Sequence, residues 1–294
     1  MASQNPAGPV EAAKPAAAQK YYRRFDRIDR VMHSALMITF VGCAITGMPP
    51  LFSEQEWASV LARAFGGFER SALIHRICAV VMITVFVSHV GRIFLGAVRR
   101  TGLLATLWGP NSMTPQPQDI VDIWRHVHWF LGKGPRPQFD RYTYWEKFDY
   151  WAVFWGMFII GGSGLMLWFP TVFSEVVPGW FFNVATVVHG EEALLAVGFI
   201  FTIHFFNGHL RPEKFPMDLV IFTGRIPEHE LKEERTKEYD RLVKEGGLSA
   251  IEATPPSTAA KYFGWYVGGS AVVLGTLTIV FIVVAFLFDS EQRL

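Results

Sequence analysis

The sequence predicts an all-α integral membrane protein with five transmembrane helices, and three observations lead there. Of 294 residues, 51% are hydrophobic and 15% aromatic. The apolar residues gather in five runs, at about 31–52, 72–97, 148–169, 181–206 and 262–288. Each run approaches or exceeds the roughly 20 residues that cross about 30 Å of hydrocarbon, where a soluble core would show shorter helices with a polar stripe. The basic residues, finally, fall on alternate connections between the runs.

Taken in order, residues 1–20 form an Ala/Pro-rich segment with no apolar stretch of a signal peptide, and read as a disordered tail. Lys14, Lys20, Arg23, Arg24, Arg27 and Arg30 then precede the first run. The 53–70 connection sets Arg63 and Arg70 against three Glu, and the 170–183 connection has no Lys or Arg. The 98–147 connection is rich in basic residues, and Arg211, Lys214 and Arg225 follow the fourth run. The positive-inside bias therefore places the N-terminus and the 98–147 and 210–261 segments in the cytoplasm, and the C-terminus in the periplasm of a bacterial inner membrane. Within 98–147, the aromatic stretch 119–132 suits an interfacial helix. Residues 226–260 turn polar, a charged helix followed by a flexible linker that sets the fifth run (261–294) apart from the unit 21–225. The formal net charge of +1 says nothing about partners; membrane lipid is the expected one, and no nucleic acid is expected.

Two segments open alike. YYRRFDRIDRVMHSALMITFVGCAITGMPPLF and YTYWEKFDYWAVFWGMFIIGGSGLMLWFP each pass through Phe-Asp into an apolar run and end in a (T/S)-G-(M/L) element followed by Pro. The likeness hints at an old duplication of helix pairs. Cys43 and Cys78 lie inside runs and belong to no CxxCH, which excludes covalent c-type haem and a disulfide or Fe–S framework.

Five of nine histidines lie in the apolar runs: His33, His75, His89, His189 and His204. An ionisable side chain in hydrocarbon is costly and calls for a partner. His189 and His204 are fifteen residues apart, hence about 22 Å apart along a helix and about 60° apart in rotation. One helix with an imidazole toward each membrane face can carry two haem groups, one above the other. His75 shares the outer depth of His189, and His33 the inner depth of His204. His89 follows His75 by fourteen residues, so a scheme with His75–His189 and His89–His204 is also credible, and geometry alone does not choose. A bis-His pair leaves no open iron position, which favours electron transfer over substrate chemistry. Gly42, Gly47, Gly161, Gly162, Gly164, Gly190 and Gly198 are available to let a porphyrin between helices. The rival class is a non-redox membrane anchor or transporter-like protein whose histidines serve packing or protons.

RFDRIDRVMH leading to ITGMPPLF, then IHRICAVVM, RYTYWEKFDYW, GSGLMLWFP and VVHGEEALLAVGFIFTIH together resemble the membrane cytochrome b (gamma) subunit of respiratory formate dehydrogenases and its hydrogenase- and multihaem-cytochrome-linked relatives. The resemblance covers about residues 21–240. It implies a four-helix dihaem cytochrome b bundle plus a fifth C-terminal helix, with two haem b held by His33–His204 inside and His75–His189 outside. It also implies electron exchange between an outer-face Fe–S subunit or multihaem cytochrome c and a quinone, menaquinone or ubiquinone, in a quinone-linked oxidoreductase complex. The direction of flow is not written in the chain. The family's quinone pocket would map near Tyr142, Thr143, Glu146 and His209, with Thr143 where the family has an amide. Arg76, beside His75, is a candidate for a haem propionate or for an interfacial arginine. The family's fourth-span pair is spaced by fourteen residues, so the fifteen here suggest a local irregularity near Gly198.

Overall fold

The computed structural model describes residues 19–292, with side chains as far as residue 287; all but the last two residues of the expected N-terminal tail lie outside it. Five helices are long and apolar enough to cross a membrane: Arg27–Leu51, Phe68–Thr101, Tyr144–Trp168, Trp180–Leu210 and Thr258–Leu287. They are called here the first to fifth spans.

The first and third spans start the same way. Asp26 Oδ1 accepts from Asp29 N at 2.8 Å, and Asp29 Oδ2 from Asp26 N at 3.1 Å. Thr143 and Glu146 repeat that reciprocal cap on the third span. Each pair satisfies amide donors that a helix start leaves open. The first span closes where Pro49 and Pro50 withdraw two successive donors. The first span lies against the second, and the third against the fourth, giving two hairpins. Gly42 permits the first crossing, since a Cβ there would lie 2.6 Å from Cys78 Sγ.

The main core lies between the first, fourth and fifth spans, around Val41, Met48, Val197, Phe201, Phe205 and Ala271. The second span has no such seam and presents apolar side chains outward, as lipid contact requires. The fifth span is therefore part of the bundle. A Cβ on its Gly275 would come within 2.8 Å of ring atoms of both Phe201 and Phe205, a contact only glycine allows.

The polar segment 226–260 also departs from the linker reading. Strands β1 (Tyr21–Arg23), β2 (Arg225–Pro227) and β3 (Glu252–Ala253) form an antiparallel sheet in the order β2-β1-β3. This cap ties the start of the chain to the stretch between the fourth and fifth spans. Tyr22, Ile226 and Leu231 form its small apolar core. Its charges are paired inward. Arg24 and Arg141 both meet Glu238, at 2.7 and 2.8 Å, and Arg235 meets Glu146 at 2.7 Å. Lys214 is ringed by Asp218, Glu230 and Glu234. Burial works against its charge, but the three carboxylates outweigh burial and hold its pKa above the ordinary lysine value. Those pairs explain why a charged sequence is ordered here. The interfacial helix runs over Pro117–Phe130, with Ile120, Trp124, Val127 and Phe130 exposed on its apolar side. Lys147 of the third span anchors it through Asp119 at 2.9 Å. The cap and this helix mark one face of the bundle, the cap face; the other is the far face.

Candidate functional site

Toward the far face, His75 of the second span and His189 of the fourth face each other across the bundle, ring centroids 6.2 Å apart. Two imidazoles bound end-on to one metal, at about 2.0 Å per bond, place their centroids about 6.3 Å apart. The observed centroid separation agrees with that figure, with the ring planes 72° apart.

The remaining bonds of the two rings agree. His75 Nδ1 lies 3.1 Å from Cys43 O, and His189 Nδ1 lies 3.0 Å from Ile160 O. A carbonyl only accepts, so each Nδ1 carries the proton and each Nε2 keeps its lone pair for a metal. Each Nδ1 also has a hydroxyl at 3.3 Å, Thr46 Oγ1 for His75 and Ser163 Oγ for His189. Those hydroxyls donate to carbonyls of their own helices, Gly42 O and Ile159 O, both at 2.6 Å. Such outer contacts fix the tautomer and ring orientation of a ligating histidine.

The two half-sites are built alike. Thr46-Gly47 and Ser163-Gly164 are the (T/S)-G elements of the two similar segments. A Cβ on Gly47 would stand 3.4 Å from His75 Cε1, and one on Gly164 only 2.9 Å from His189 Cε1. Glycine at 164 is therefore a condition of the ring's position. Gly190 abuts Leu51, whereas Gly161, Gly162 and Gly198 face open space within 4 Å. Nearby, the Arg76 guanidinium lies over the Trp168 ring, 5.6 Å from its centroid.

Toward the cap face, His204 Nδ1 donates to Asp149 Oδ2 at 3.0 Å, which again leaves Nε2 free. His33 lies within electrostatic reach of His204 and His209. Three buried polar atoms of this group have no hydrogen-bond partner: His33 Nδ1, His209 Nδ1 and Asp149 Oδ1. An unsatisfied buried polar group costs about 1–3 kcal/mol, so three in this group offer bonding capacity to a bound group or an ordered water. His89 has a partner of its own: its Nε2 meets the Tyr150 hydroxyl at 3.1 Å.

The fifteen-residue interval in the fourth span is absorbed by a widened π turn at Ile200–His204, with a second at Phe206–Leu210. A π turn takes up one extra residue. His189 and His204 thus stand about 40° apart in the opposite sense to the regular-helix estimate, still on one side of the span.

The residues expected to bind quinone are largely committed elsewhere. Thr143 is fully buried as a helix cap, and its Oγ1 donates to Glu146 Oε2 at 2.9 Å. Glu146 gives its other oxygen to Arg235. The guanidinium groups of Arg24 and Arg141 both lie over the Tyr142 ring, 5.3 and 5.5 Å from its centroid. Only His209 keeps an unused buried nitrogen. Asp149, Thr46 and Ser163 are the site residues that sequence reasoning passes over. The Phe-Asp shared by both segment openings was the available signal for Asp149.

The family model described as prokaryotic cytochrome b561 matches residues 24–213. The chain belongs to this family. All five histidines of the spans, and His209, fall inside the match, which stops before β2 and the fifth span. Comparison with curated proteins gives no match. As a cytochrome b561 family member the chain is a membrane haem-b electron-transfer protein, and the family typically binds two haems. The far-face histidines fit that cofactor on distance and donor chemistry, and the cap-face group fits it on donor chemistry.

Proposed function

We propose that this cytochrome is the membrane subunit of a quinone-linked respiratory complex, of the kind formed by the formate dehydrogenase gamma subunit and its relatives. His75 and His189 would hold one haem b, and His33 and His204 the other. The cap face, with its many arginines, would be cytoplasmic in a bacterial inner membrane, and the far face would meet an Fe–S subunit or multihaem cytochrome c. The observation that carries the reading is the His75–His189 pair, 6.2 Å apart with both Nδ1 atoms committed to carbonyls. Bound haem supplies one-electron chemistry; the chain's part is to fix each ligand ring, stack the two sites and keep them in hydrocarbon. The quinone, menaquinone or ubiquinone, would exchange at the cap face beside His209. That imidazole is buried, electrostatically linked to His204, and has an unpartnered nitrogen able to bond a quinone oxygen. With Thr143 and Glu146 spent on the helix cap, His209 supports this placement better than they do.

The test begins with the purified protein. Pyridine haemochrome analysis should give about two haems per chain, all extractable by acid acetone. His75→Ala and His189→Ala should each remove the same centre, and His204→Ala the other. A haem-saturated preparation holding one haem or none would overturn the architecture. A quinone-analogue inhibitor should shift the optical or redox signal of the His204 centre, and a shift confined to the other centre would overturn the quinone placement. Gentle purification from native membranes should retain a cytochrome c or Fe–S protein that reduces the far-face centre; reduction by a soluble organic substrate without any partner would refute the subunit reading.

A further inference from the structure

Where the first and fifth spans begin, the cap borders a half-open cavity of about 430 Å³ lined by Arg23, Arg27, Arg30 and Arg225. Its one carboxylate, Asp26, is already engaged: Oδ2 lies 2.5 Å from Arg92, and Oδ1 caps the first span. Six other arginines on this face, at 24, 92, 141, 211, 235 and 241, each meet a carboxylate. Among the described residues the four cavity arginines meet none. Arg99 and Arg100 of this face meet none either, but they lie outside the cavity; what sets the four apart is that they line one space.

Their arrangement is costly as it stands. Arg23 and Arg225 are direct partners across the β1–β2 pair, and like charges placed opposite each other destabilise a sheet. Arg30 is within electrostatic reach of both Arg27 and Arg225. It is aimed by a bond from Nε to Phe222 O at 2.6 Å, which leaves its terminal nitrogens for another acceptor. Thr223 and Ser257 add hydroxyls to the lining. Planar guanidinium groups bind phosphate oxygens two at a time, so a phosphate ester offsets the repulsion and fills the bonding capacity together.

We infer that this cavity binds the phosphodiester headgroup of an anionic phospholipid, phosphatidylglycerol or cardiolipin. The depth selects a lipid over a free anion. Arg27 and Arg30 lie in the first turn of one span and Ser257 immediately precedes another, which is the headgroup level of a bilayer. In the opening turns of the same two spans, Ile28, Val31, Tyr262 and Tyr266 are exposed, side chains suited to acyl chains and to the membrane interface. Basic sites of this kind between spans bind anionic lipid headgroups. The site joins the first span to the fifth, so the lipid would fasten the C-terminal helix to the bundle at the cap face. It does not depend on the assignment of the haem ligands.

Native mass spectrometry of the delipidated full-length holoprotein tests it, with dioleoyl phosphatidylglycerol, cardiolipin or dioleoyl phosphatidylcholine added, each with and without millimolar inorganic phosphate. The wild type should retain anionic lipid at least about tenfold more tightly than phosphatidylcholine, and phosphate should not displace it. Arg23→Gln/Arg225→Gln and, separately, Arg27→Gln should lose that preference while the visible spectrum stays unchanged. Arg99→Gln/Arg100→Gln, basic residues of the same face outside the cavity, should keep it. Retained preference in the cavity variants, equal loss in the 99/100 variant, or displacement by phosphate would overturn the lipid site. Loss of a haem band in the cavity variants would assign the arginines to the cofactor and overturn it as well.

Discussion

Replacing Asp149 by Asn tests the cap-face site most sharply, because it removes one charge and little volume. Asp149 Oδ2 takes the Nδ1 proton of His204 at 3.0 Å. Its side chain is only 15% exposed, and its second oxygen is buried without a partner. Water therefore screens the carboxylate weakly. An iron held by the opposite nitrogen of His204 would stand about 7 Å away, where a unit charge at an effective dielectric of about 20 contributes about 2 kcal/mol. The carboxylate favours the oxidised, more positive centre, so its removal should raise the midpoint potential. At about 59 mV per 1.4 kcal/mol for one electron, the rise should approach 100 mV. Potentiometric titration of Asp149→Asn, followed in the α-band, should show one centre moving up by several tens of millivolts and the other staying put. A shift below about 20 mV, or equal shifts of both centres, would refute the coupling of Asp149 to His204 as an iron ligand.

Four further outcomes are expected. Gly164→Ala should disturb the spectrum of the His189 centre and spare the other, since the added Cβ would lie 2.9 Å from His189 Cε1; an unchanged spectrum would contradict that contact. His33→Ala should abolish one bis-His signal in low-temperature spectra, and His89→Ala should keep both, because His89 is bonded to Tyr150. Glu238→Gln should destabilise the cap by about 3 kcal/mol, because Arg24 and Glu238 are almost fully buried together; faster proteolysis within 226–257 with an unchanged haem spectrum would report it. Lys214 has a raised pKa, so its contribution to the cap is complete below the ordinary lysine value of about 10.4 and fades only as pH rises above it. Cap proteolysis should accordingly be flat across neutral pH and increase above about pH 10, and a transition near neutrality would contradict the pairing.

The spans were legible because a run of apolar residues has few other uses, and the histidines because imidazole in hydrocarbon demands a partner. The π turn at Ile200–His204 was legible only through the resemblance, whose fourth-span pair is one residue closer; the spacing in this chain alone, taken as a regular helix, gives the rotation in the wrong sense. The cap was illegible for a different reason. Strands of two or three residues carry no alternation to read, and the order of 226–260 rests on pairs such as Arg24–Glu238 that join residues 214 positions apart. Thr143-x-x-Glu146 is a capping-box pattern in the sequence itself, and that local demand outranks the quinone role that resemblance suggests. Asp149 reads as a polar residue at a span's edge; only the fold turns it toward His204.

The likeness of the two far-face half-sites bears on how the molecule is made. Each hairpin presents one histidine to the middle, and its ring is held by a carbonyl, a hydroxyl and a glycine. In both hairpins the holding helix and the histidine-bearing helix are neighbours in the chain: Thr46 with His75, Ser163 with His189. Each hairpin can therefore prepare its half of the site as soon as it is inserted, before the other has left the ribosome. What no hairpin can do alone is close the site. A cofactor bound there would tie together two hairpins that the core of the first, fourth and fifth spans already packs side by side, and a cell starved of haem should accumulate a chain more open to cross-linking and protease between them than the loaded form.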